Sequence, residues 1–136
     1  MNPIKKWHEV VETRDFLLLD KILSEKVVFY SPVVHSPQVG KEITSIYLKA
    51  AAEVFNDRSF AYVTELIHSN NACLEFKLEI EGIYINGIDL ITWNEEGKII
   101  EFKVFIRPLK GIETIQNLMG KIIKKNNYNQ LFKRNI

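Results

Sequence analysis

Apolar side chains recur at helical spacing at Ile4, Trp7, Val10 and Val11, which predicts an opening amphipathic helix. Asp15 then precedes "FLLLDKIL" and carries the short acceptor side chain that caps a helix start, so a second, short helix follows. "KVVFYS" reads as a short strand broken by Pro32, and "SPVVHSPQVG", with two prolines and a glycine, reads as a loop. From Gly40 to Phe55 the positions Ile43, Ile46, Tyr47, Ala50, Ala51 and Val54 form one apolar stripe, the mark of a third helix.

The period then changes from helical to alternating. "SFAYVTELIH", "ACLEFKLEI", "IYINGIDLITW" and "KIIEFKVFI" each fit a strand, and the links "SNN", "EG" and "NEEGK" are short enough to require antiparallel hairpins. In the second of these, Leu74, Phe76, Leu78 and Ile80 alternate with Glu75, Lys77, Glu79 and Glu81, separating a core face from a solvated one. Pro108 ends the sheet, and "LKGIETIQNLMGKII" returns to helical spacing. The expected class is α+β, a curved, mainly antiparallel (mixed) sheet wrapped around helices. One domain over residues 1–123 is expected, followed by a polar, Asn-rich basic tail, 124–136, read as frayed or disordered.

Composition narrows the picture only a little. At 136 residues and 46% hydrophobic content the chain suits a single core, and a formal charge of +1 calls for neither a nucleic-acid nor an anionic-membrane partner. Its few clustered cations, Lys124, Lys125, Lys133 and Arg134, lie in the tail. The start lacks the apolar run of a secretory signal and no stretch reaches membrane-spanning length, so a soluble, cytoplasmic protein is expected. Cys73 is the only cysteine and reads as a small buried hydrophobe. Neither a His and carboxylate cluster with metal-ligand spacing nor a Gly-rich phosphate loop is present, and no cofactor or metal is expected.

One residue breaks the strand pattern. In "NGIDLITW", Asp89 shares its parity with Ile85, Gly87, Ile91 and Trp93, so its carboxylate must face what those side chains face. A carboxylate among apolar groups costs several kcal/mol as a rough figure unless it is paired, hydrogen-bonded or protonated. Either a structural pairing or a functional acid answers that cost.

The element order, with "RDFLLLDKIL", "FYSPVVHSPQVG", "GIDLITWNEEGKI" and "KVFIRP" at their spacings, resembles the superfamily of nuclear transport factor 2, SnoaL-like cyclases and steroid delta-isomerases. The resemblance implies a cone enclosing a mostly apolar pocket. It also implies a role for Asp89, which falls on the oxyanion-hole aspartic acid of the isomerases, a group kept protonated by its apolar site so that it can donate a hydrogen bond. The isomerases' general-base Asp, however, corresponds to Ser31, just before Pro32, and their pocket Tyr on the first helix corresponds to Trp7, whose indole donates but does not titrate. The resemblance therefore argues against steroid isomerisation and leaves open whether the protein is an enzyme.

His35, in the loop after the first strand and toward the expected pocket mouth, is the best available general base, with a solvent-exposed loop histidine as the competing reading. Trp7, Phe29, Ser31, Tyr47, Tyr62, Phe76, Ile91, Phe102 and Val104 are the candidate pocket residues around Asp89, although aromatics at these spacings also serve as ordinary core. Arg107 has the opposite parity to Phe102, Val104 and Ile106 and reads as a cross-strand ion-pair partner; His8 and His68 read as surface residues. The ligand expected is a small apolar or carbonyl-bearing molecule, bound and, if the protein is an enzyme, turned over by isomerase-, cyclase- or dehydratase-type proton transfer. An interaction module whose pocket is filled by its own side chains is the alternative. Ile88 and Leu90 point away from Asp89's face, beside Phe105, and this outer apolar patch predicts a homodimer.

Overall fold

The first apolar stripe folds as α1 (Ile4–Thr13), which buries Ile4, Trp7 and Val10, and Arg14 closes it with a left-handed φ of 56°. The computed structural model describes residues 1–126. Asp15 caps α2 (Phe16–Ile22), its carboxylate accepting from the Leu18 N–H at 3.1 Å. β1 (Leu23–Tyr30) follows without a loop and starts three residues before "KVVFYS". Leu23 already pairs with Ile99, and a bulge between Leu23 and Val28 absorbs the polar Ser24, Glu25 and Lys26 that hide the strand in the sequence.

The Pro-rich loop is less irregular than its composition suggests. Within it β2 (Gln38–Val39) pairs antiparallel with Val28 and Phe29. Gly40, at φ 108°, then turns the chain into α3 (Lys41–Val54), a conformation that favours glycine. The meander comprises β3 (Ala61–His68), β4 (Asn71–Ile80), β5 (Ile83–Trp93) and β6 (Ile99–Arg107), and α4 (Leu109–Lys125) closes the described chain.

All six strands form one mixed sheet in the order β2-β1-β6-β5-β4-β3, in which only β1 and β6 run parallel. Bulges in β3, between Tyr62 and Thr64, and at the Thr92/Trp93 end of the β5–β6 pair add local bends to the curved sheet. Its concave face buries Phe29, Leu74, Phe76, Leu78, Ile85, Ile91 and Phe102 against the apolar stripes of the helices. This is the expected α+β cone.

Several expectations need correction. α4 continues through Lys125 with Ile123 only 1% exposed, so Lys124 and Lys125 belong to a packed helix and the folded domain passes residue 123. The rest of the expected tail, 127–136, lies outside the described residues. Cys73 is half-buried, because it lies between Leu66 and Leu90 on the outer face. Arg107 stands opposite Asn86 and makes no ion pair among the described residues. His8 is half-buried, with Nε2 2.5 Å from Glu65 Oε1, whereas His68 is exposed.

Candidate functional site

Strict alternation along β5 buries Ile85, Gly87, Asp89, Ile91 and Trp93 on the concave face, and Asp89 is 6% exposed there. Its neighbours across the sheet are apolar, Leu74 on β4 and Val104 on β6. The polar partner comes from farther away. Tyr62, on edge strand β3, stands opposite Phe76, which stands opposite Gly87. A Cβ at position 87 would lie 2.5 Å from Phe76 Cζ and 2.5 Å from the Phe105 carbonyl oxygen, so only glycine lets the Phe76 ring approach. Tyr62 meets that ring edge-on, at 6.3 Å between centroids and 87°, and its hydroxyl reaches Asp89.

The Tyr62 hydroxyl donates to Asp89 Oδ2 at 2.5 Å and accepts from the Trp7 indole Nε1–H at 3.0 Å. Three elements, α1, β3 and β5, thus meet in one directed chain. Burial pushes the Asp89 carboxyl up to about 7, against the pull of the Tyr62 hydrogen bond in the other direction. Burial, and then the charge of Asp89, push the Tyr62 phenol well above its usual value, so Tyr62 stays protonated. Among the described residues nothing bonds Asp89 Oδ1.

Asp89 lies on the wall of a cavity of about 220 Å³. Trp7, Phe29, Ser31, Tyr47, Tyr62, Phe102 and Val104 share that wall. Phe76 and Ile91 are fully buried behind it, and His35 is exposed and away from it. Ser31 has a local task, since its Oγ accepts from the Val33 N–H at 3.2 Å. Tyr47 stacks on Phe29 at 5.4 Å, and burial lifts its phenol to about 12. A carboxylic acid on such a wall can donate one strong hydrogen bond when neutral, and accept a proton when ionised.

Sequence reasoning missed the lid and the rim. Ile115 and Met119 of α4 close the cavity, and exposed Gln116, Asn56, Asp57 and Glu12 edge it. The stripe of α4 marks it as a packed helix, but nothing in its period says that it packs over a void. Among the described residues no group of acids, histidines and cysteine could hold a metal ion, and no helix is long and apolar enough to cross a membrane.

No protein-family model and no curated protein matches the chain by sequence. Solved structures do. A steroid delta-isomerase from Pseudomonas aeruginosa is 29% identical over 92% of this chain and 91% of its own, with a TM-score of 0.86. An uncharacterised protein with a cystatin-like fold from Silicibacter pomeroyi is 27% identical over 99% of this chain and 95% of its own, with a TM-score of 0.87. A nuclear transport factor 2-like protein of unknown function from Cytophaga hutchinsonii shares the fold at 21% identity and a TM-score of 0.56, over 77% of this chain and 87% of its own. The chain has the α+β fold of these structures, the nuclear transport factor 2-like, cystatin-like fold.

Proposed function

We propose that the protein binds a compact, largely apolar molecule carrying a carbonyl or similar acceptor, anchored by the Asp89 carboxyl. The observation that carries this is the pairing of an apolar cavity with one buried acid whose Oδ1 has no bonding partner among the described residues. Oδ1 keeps some exposure on the cavity wall, where a ligand acceptor can take a hydrogen bond from the neutral acid. At about 220 Å³ the cavity is smaller than the roughly 300–1,000 Å³ of drug-sized sites, which favours a compact ligand. That the cavity is open at Asp89 supports this reading over a pocket filled by its own side chains.

Proton-transfer chemistry of the isomerase, cyclase or dehydratase type fits the same geometry, but steroid isomerisation does not fit Ser31. Purified protein should show no turnover of a 5-ene-3-ketosteroid, and Ser31→Asp is the single change expected to create a trace of it, because a general base contributes roughly a hundred- to ten-thousand-fold. Native mass spectrometry of the purified protein tests the binding reading directly. A bound small molecule lost in Asp89→Leu supports it, and an empty wild-type protein that also binds no small ketone in solution counts against it.

We further propose a homodimer through the convex face of the sheet. There Leu66 and Phe105, 63% and 54% exposed, join Ile88 and Leu90 in an apolar patch edged by Glu75, Glu101 and Lys103. A second copy would cover it.

A further inference from the structure

The charged side chains that line the cavity all carry one sign. Asp89 stands inside it, Glu12 of α1 and Asp57 after α3 are exposed at its rim, and no lysine, arginine or histidine lines it among the described residues. The chain as a whole is at +1, so the bias is local. Neither Glu12 nor Asp57 has an ion-pair partner among the described residues. Arg14 and Lys49 line a neighbouring groove, which meets this cavity at Asn56. Ser59 donates to Asp57 Oδ1 through its O–H, at 2.5 Å, and its N–H, at 2.8 Å, and these bonds hold the carboxyl below its usual range. Two helices add to the same sign: the last turns of α1 and α3 reach the cavity through Glu12, Ala51 and Ala52, and a helix C-terminus carries partial negative charge.

The wall between rim and interior is aromatic. Phe55 and Phe60 lie on either side of Asp57 in the chain, line the cavity with it and stack at 5.8 Å between centroids. Tyr62 meets Phe60 edge-on at 5.2 Å, and its hydroxyl reaches Asp89, so the rings run from the exposed acids to the buried one. Aromatic rings and carboxylates together attract an alkylated ammonium, whose carbon shell also suits an apolar wall. The protein cations that stand over rings, Lys49 over Phe16 and Lys103 over Tyr30, lie outside the cavity. Exposed acids alone would mean only a solvated rim. Asp89 supplies a second observation, because it is 6% exposed and its Oδ1, on the same cavity, has no bonding partner among the described residues.

Resting on the carbonyl-ligand reading above, we infer that the ligand is a cation: a compact molecule with its carbonyl or similar acceptor at Asp89 and an alkylated ammonium at the mouth, beside Glu12 and Asp57 and against Phe55 and Phe60. The inner end takes the hydrogen bond of the neutral acid. The outer end stays at the exposed rim, where it keeps part of its hydration and escapes the full cost of burying a charge. A carboxylate or phosphate at that end would meet two acids and two helix C-termini and is disfavoured on every side. A neutral ligand of the same shape makes the apolar contacts without the charge attraction, which at contact distance in water is roughly fivefold in affinity for each rim acid.

Two ketones of one shape test this: 4-tert-butylcyclohexanone, which is neutral, and its 4-trimethylammonio counterpart, a permanent cation, each titrated by calorimetry just below the Asp89 midpoint of about 7. Wild-type protein is expected to bind the cation roughly tenfold more tightly than the neutral ketone at low salt, and added salt should shrink the advantage. The double variant Glu12→Gln, Asp57→Asn should lose most of it while binding the neutral ketone as the wild type does, which also shows that its pocket is intact. Phe60→Leu, which keeps the wall apolar, should lower it too. Equal or tighter binding of the neutral ketone, or an advantage that the double variant retains, overturns the cationic end and leaves the carbonyl reading standing. Binding of both ketones that Asp89→Leu does not weaken overturns the carbonyl anchor but not the preference for the cation. Absence of binding by either ketone overturns both.

Discussion

At Asp89 two effects oppose each other. Burial disfavours the carboxylate, the Tyr62 hydrogen bond favours it, and burial prevails, leaving the group to titrate at about 7. Because the folded value lies above the unfolded one of 3.8, the native state holds a proton between about pH 4 and pH 7 that the unfolded chain has released. Stability from this group is full below pH 4 and falls as pH rises to about 7, by an amount on the order of 4 kcal/mol if nothing compensates. Asp89→Asn keeps a donor at nearly the same volume and should flatten that slope in urea unfolding measured across pH. Asp89→Leu should also fold, since no cation pairs with Asp89 among the described residues, and should lose the polar anchor. A cost above about 3 kcal/mol for both variants would be the signature of a broken buried ion pair and would contradict this account. Alternation along the strand exposes Asp89 in the sequence, and Tyr62 and Trp7 stand out as pocket aromatics. Their linkage is not legible there, because Tyr62 sits two strands from Asp89 and its reach depends on how Phe76 packs over Gly87.

Among the elements, β3, β4 and β5 are held in this arrangement by a residue with no side chain. Gly87→Ala would drive a methyl group into Phe76 and the backbone of Phe105, a contact that a shift of the flexible ring alone cannot relieve. It should cost roughly 1–3 kcal/mol in thermal or urea unfolding and weaken ligand binding through displacement of Tyr62, whereas an unchanged midpoint would mean that the strands move apart freely. The hairpins of the meander were readable because short links force antiparallel neighbours. The parallel β1–β6 pair was not, since it joins segments far apart in sequence through no local signal. Nor was β2, whose two residues carry no period; its pairing with β1 shapes the loop in which His35 is left exposed.

For the whole molecule, one sheet serves two surfaces. Its concave face makes the cavity and its convex face makes the apolar patch, an assignment that follows from the period-two alternation of the strands. Sedimentation at tens of micromolar, an order-of-magnitude concentration for a modest interface, should show a dimer, and Phe105→Lys should shift it to monomer without unfolding. A wild-type monomer under those conditions would remove the dimer proposal. The curved sheet around its helices was legible from the order of helices and strands, but the cone and the void inside it were implied only by the resemblance, because apolar stripes look alike whether they meet each other or a cavity. The central claim, that this void holds an acid tuned to neutrality, is tested most directly by following the Asp89 side-chain carboxyl carbon by NMR across pH. The account predicts a midpoint about 7, moving higher in Tyr62→Phe. A midpoint at or below the ordinary 3.8 would contradict it.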